Sequence, residues 1–71
     1  MTYDLSIIIP FYNAEKFINK NFHCCLKILK NINAEVIYID NLSKDNSYIK
    51  IKKNIKNLQN FLIFQTEKKF K

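Results

Sequence analysis

Three short runs of β-branched and aromatic residues, at positions 5–9, 36–39 and 61–64, are separated by two lysine-studded stretches with a helical period. This alternation constrains the fold more than any other feature of the chain. Short apolar runs of this kind suit strands covered on both faces, as in a parallel sheet. Between the first two runs, Ile18, Phe22, Cys25 and Leu29 step by four, three and four; between the second and third, Tyr48, Ile51, Ile55 and Leu58 step by three, four and three. Steps of that size align side chains on one stripe of a helix, and the intervening lysines fall largely outside it. The order is β-α-β-α-β, and strands joined by single helices pair in parallel through right-handed crossovers. The fold class is therefore α/β, half of a doubly wound sheet, with residues 1–71 forming a single small domain.

Local signals set the expected boundaries. Pro10 lacks an N–H and is expected to stop the first strand. Asn13 is a candidate N-cap for a helix running from Ala14 to about Asn31, and Asn31, Ile32 and Asn33 are expected to end it through a left-handed residue. Asp45 or Asn46 can cap the second helix. If the strands lie in the order third, second, first, the first strand is an edge. An apolar edge invites pairing with another chain, so self-association through the first strand is expected, or else further sequence beyond residue 71.

The twelve basic residues are all lysine and face six acids, giving a net charge of +6. The excess is lopsided: residues 36–71 carry eight lysines against Asp40, Asp45 and Glu67. It fits a solvated surface, and alternatively a patch for nucleic acid, an anionic membrane or a diphosphate. The absence of arginine argues against specific nucleic-acid reading, which relies on its planar fork. Cys24 and Cys25 are neighbours and cannot staple distant segments. With His23 they point in successive directions around a helix, so no metal site is expected. Core cysteines, a surface histidine and a reducing, cytoplasmic setting fit better. No apolar run approaches the ~20 residues that span a bilayer.

Glycine is absent altogether. Dinucleotide loops, P-loops and nucleophile elbows all need it, so NAD, FAD, P-loop ATP and serine-hydrolase chemistry are poor candidates. His23, the single histidine, lies mid-helix, and no catalytic residue is expected within the chain.

Open parallel sheets bind ligands beyond the carboxyl ends of their strands. Those ends carry Pro10-Phe11-Tyr12-Asn13 and Asp40-Asn41. A ring at Tyr12 can stack on a base, and a carboxylate at Asp40 can accept from a base N–H or sugar hydroxyls. The alternatives are that Tyr12 packs over the sheet end and Asp40 caps a loop.

At these residues the chain resembles the family 2 glycosyltransferases. The segment from Leu5 to Phe17 is similar to the family's opening strand and its P-x-Y-N turn. The segment from Glu35 to Ser47 is similar to its second strand and D-D-G-S-x-D-x-S loop. The resemblance spans nearly the whole chain, in order and spacing. It implies a partial GT-A fold, a three-layer Rossmann-like unit cradling the nucleotide of a UDP-sugar. By the same resemblance Pro10, Tyr12 and Asn13 line the nucleotide pocket, Asp40 and Asn41 face base and ribose, and Ser43 and Asp45 shape the turn. Two departures stand out. Asn41 replaces an aspartate, losing its charge, and Leu42 replaces a glycine, so the loop is expected to be strained or rebuilt. The D-x-D motif that holds Mg²⁺ or Mn²⁺, the general base and the acceptor site would all follow residue 71. The chain is thus expected to be truncated and inactive alone. The competing readings are a non-catalytic, self-associating module and a weak, nonspecific nucleic-acid binder.

Overall fold

The computed structural model describes residues 2–68. Strand β1 (Leu5–Phe11) leads through helix α1 (Ile18–Leu29) to β2 (Ala34–Asp40), then through α2 (Ser47–Asn54) to β3 (Phe61–Gln65). The three strands form one parallel sheet in the order β1-β2-β3. The β-α-β-α-β reading and the placement of β1 at an edge both hold.

Pro10 does not stop the first strand; it lies within β1, paired in register with Ile39. Adjacent residues of a strand point their backbone groups to opposite sides. The carbonyl of Phe11 accepts from the Asn41 N–H on the β2 side. The donor that Pro10 lacks therefore belongs to the open side, where an edge strand tolerates proline.

The helix boundaries also shift. Helix α1 begins at Ile18, and its N-cap is Phe17, which makes no side-chain capping bond; Asn13 is not the cap. At the other end Lys30 and Asn31 donate to the carbonyls of Lys27 and Ile28, tightening the last turn. Asn31, Ile32 and Asn33 take no positive φ. Asn46 takes the N-cap position of α2, while the Asp45 carboxylate accepts from the Ser47 N–H at 3.0 Å.

The predicted α1 stripe faces the core. Ile18 and Cys25 are buried, and Phe22 and Leu29 pack beside them with Ile51 of α2 and Ile55 at its C-cap. Leu58, expected on the α2 stripe, is exposed. The helices close over Ile7, Ile9 and Phe11 of β1, Val36 and Tyr38 of β2, and Phe61 and Ile63 of β3. Tyr38 is the largest fully buried side chain. Its ring stacks near Phe61 and meets Phe11 edge-on, and its hydroxyl donates to Asn21 Oδ1 at 2.7 Å. Burial pushes the Tyr38 phenol well above its ordinary range and raises the Cys25 thiol too. Cys24, expected in the core, is exposed, one position further round the helix from Cys25.

Both helices lie on the same face of the sheet. Strand order advances in one direction, so two crossovers of one hand must land on the same side. The three-layer unit implied by the resemblance is represented here by its sheet and one helical layer. The other face carries Ile8, Ile37 and Leu62 in one cross-strand row and Pro10, Ile39 and Phe64 in the next. Ile8 is 58% exposed and Phe64 55%. No helix among the described residues is long and apolar enough to cross a membrane.

Candidate functional site

The loops after β1 and β2 are lashed together at the carboxyl end of the sheet. Asn13, with a φ of 49°, turns the chain through the left-handed region that asparagine tolerates. Its Oδ1 accepts from the Lys44 N–H at 2.8 Å and the Asp45 N–H at 3.4 Å, and its own N–H donates to Ser43 Oγ at 2.8 Å. Next along the chain, the Ala14 N–H donates to Ser47 Oγ at 2.8 Å, and that hydroxyl donates to Asp45 Oδ1. Asp45 Oδ2 accepts from the Glu15 N–H, while Glu15 accepts from the Asn46 N–H and pairs with Lys50 at 3.2 Å. These bonds supply partners for backbone donors that no strand or helix serves.

Two of these acids sit below their ordinary values. The Asn46 N–H and the Lys50 ammonium hold the Glu15 carboxyl low, and the Ser47 hydroxyl and N–H do the same for Asp45. Folding therefore favours their ionised forms. The stability they contribute is present above their ordinary values of 4.5 and 3.8 and is lost as pH falls through the depressed folded values. We expect the urea midpoint to fall in acid and the combined Glu15→Gln, Asp45→Asn chain to show a flatter decline. Equal steepness in the two chains would remove these residues as the cause.

Leu42 has a φ of 57°, so the loop keeps the left-handed turn at the position where the family has glycine. An L-residue there carries about 1–2 kcal/mol of steric strain, partly offset because glycine is freer when unfolded. Leu42→Gly is expected to stabilise the chain by about 1 kcal/mol and raise the melting temperature several degrees. A lower melting temperature would show that the leucine side chain contributes more through contacts than its backbone loses.

Asp40 lies at the centre of this end and is fully buried. Its Oδ1 accepts from the Ser43 N–H at 2.9 Å and its Oδ2 from Gln65 Nε2 at 3.1 Å. Beside it, Thr66 Oγ1 lies 3.3 Å from Asn41 Oδ1, and the Thr66 N–H donates to the Asp40 carbonyl. Tyr12 and Asn41 are half-buried, and Pro10 and Asn13 are exposed. The sequence-predicted residues thus gather at the strand ends, with Asp40 closed over by Gln65 and its own turn. Sequence reasoning missed Ser47, Glu15 and Gln65. Ser47 closes the segment that resembles the D-D-G-S-x-D-x-S loop, which was a signal for the first; no pattern tied Gln65 to Asp40. Among the described residues no three His, Cys, Asp or Glu side chains converge as a divalent cation would need. Lys68 is exposed, and Lys69 and Lys71 lie outside the described residues.

A groove of about 440 Å³ at the other end of the sheet is lined by Tyr3, Leu29, Lys30 and Asn60, among others. It lies at the amino ends of the strands, away from where parallel sheets bind ligands.

Residues 6–71 match the family model described as Glycosyl transferase family 2. The chain belongs to that family. Among solved structures, residues 1–349 of TarS from S. aureus superpose with a TM-score of 0.75 at 28% identity. The match covers 92% of this chain and 19% of that one, so the family 2 chain described here spans about a fifth of TarS 1–349. The same TarS fragment in complex with UDP matches equally well. No curated protein gives a significant match.

Proposed function

We propose that this chain is the donor-nucleotide-binding portion of a family 2 glycosyltransferase and takes the UDP of a UDP-sugar at the carboxyl ends of β1 and β2. The observation that carries this reading is the buried Asp40 carboxylate at the strand end where parallel sheets receive ligands. The likeness to TarS, a protein solved with UDP, supports the choice of nucleotide. Tyr12 stacks on the base and Asp40 accepts from its N–H. Pro10 and Asn13 shape the pocket wall, and the Asn41 amide meets base or ribose. A carboxylate acceptor favours uracil, whose N3–H is a donor, over cytosine, whose N3 is an acceptor.

Sugar transfer also needs a stabiliser for the leaving diphosphate and a base for the acceptor hydroxyl. The described residues provide no pair of groups for those two tasks, so the chain binds donor without transferring sugar. A reducing, cytoplasmic setting suits its free Cys24 and Cys25.

Titration with UDP, followed by amide NMR, tests the reading. Shifts centred on Tyr12, Asp40 and Asn41, weaker with CDP, are expected. Unmoved spectra at millimolar UDP would end it.

A second reading, self-association, is favoured by the open β1 edge together with the uncovered sheet face. We propose a second copy as the occupant. The strands contain no lysine, so two copies meeting through these faces keep their lysines on the outside.

A further inference from the structure

Resting on the nucleotide reading above, we propose that Gln65 is a displaceable placeholder that occupies the base-edge position on Asp40 until a uracil nucleotide takes it. The side-chain amide of Gln65 donates from Nε2 to Asp40 Oδ2 at 3.1 Å. A primary amide N–H is a neutral donor of the same chemical kind as the imide N3–H of uracil. Exchanging one for the other leaves the carboxylate's hydrogen bonding unchanged.

The setting favours such an exchange. Asp40 is completely buried, whereas Gln65 is exposed at the last position of an edge strand. A carboxylate withdrawn from water loses heavily unless hydrogen bonds replace the solvent. The Ser43 N–H is fixed by the backbone turn and stays in place. The Gln65 donor sits on a side chain free to rotate outward into solvent, a motion of the nanosecond range for exposed residues. Rotation uncovers Oδ2 without disturbing the sheet. The backbone bond from the Thr66 N–H to the Asp40 carbonyl holds the strand ends together meanwhile.

A cover of this kind weakens apparent affinity by the fraction of time the acceptor is open. It also keeps the carboxylate satisfied in the empty state. Gln65 then sets both the affinity and the preference for a base with a ring N–H, which uracil has at N3 and cytosine lacks.

The test compares UDP binding by the full chain and by Gln65→Ala, using calorimetry, with urea unfolding of each. The expected result is that Gln65→Ala binds UDP about five- to tenfold more tightly while being no more stable. In the unaltered chain, the Gln65 side-chain amide signals should move to solvent-exposed positions as UDP saturates. This second readout stands even if Gln65→Ala folds poorly. Equal or weaker UDP binding by Gln65→Ala, with the unaltered chain binding UDP and the amide signals unmoved, overturns the placeholder and leaves the nucleotide site standing. No UDP binding by either chain overturns both.

Discussion

Tyr38→Ala is expected to unfold the chain at room temperature. Tyr38 is the largest fully buried side chain, and its ring touches the aromatic neighbours that join β1 to β3. Truncating a buried aromatic to alanine costs about 3–5 kcal/mol, through lost transfer energy and the cavity left behind. A domain of this length holds only about 3–5 kcal/mol in total. The loss therefore matches or exceeds the whole margin. Tyr38→Phe keeps the ring and removes only the hydroxyl that donates to Asn21, so it should cost about 1 kcal/mol and leave a folded chain. Circular dichroism and urea titration of the two variants separate the contributions. A native spectrum with an unchanged midpoint for Tyr38→Ala would mean that the core is held together elsewhere.

The second large effect is expected on assembly. Ile8→Lys and Phe64→Lys each place a charge on the uncovered face, Ile8 on β1 and Phe64 on β3. Both positions are more than half exposed, so the single chain should lose little stability. If copies meet through the face, each variant should sediment as a monomer at concentrations where the unaltered chain associates. If they meet through the β1 edge alone, Phe64→Lys should associate as before. An unaltered chain that stays monomeric up to millimolar concentration would dismiss self-association altogether.

The architecture was legible because its signals are periodic. Steps of three and four brought Ile18, Phe22, Cys25 and Leu29 to the core, and three apolar runs became three parallel strands. What periodicity does not encode was misread. Pro10 looked like a terminator because the open side of an edge strand cannot be known before the sheet is assembled. Asn13 looked like a helix cap because its left-handed turn is stabilised by Lys44 and Asp45, about thirty residues away. Cys24 and Cys25 share a composition signal, and only the angle between neighbours on a helix divides them. Tyr12, Asp40 and Asn41 could be placed at the carboxyl end of the sheet because strand ends could be located. The contact of Gln65 with Asp40 could not be read, since it depends on β3 lying beside β2.

The lashing of the two loops has a kinetic consequence. Every bond from Asn13, Ala14 and Glu15 to the 43–47 segment joins residues 30 to 33 positions apart. Such closures follow, rather than precede, the docking of both strand–helix units, because loop-closure entropy must first be overcome. The carboxyl end of the sheet should therefore mature last as the polypeptide folds. Its amides should acquire protection together and late, in one step with the burial of Ser47, so this end of the sheet is either fully formed or not formed at all.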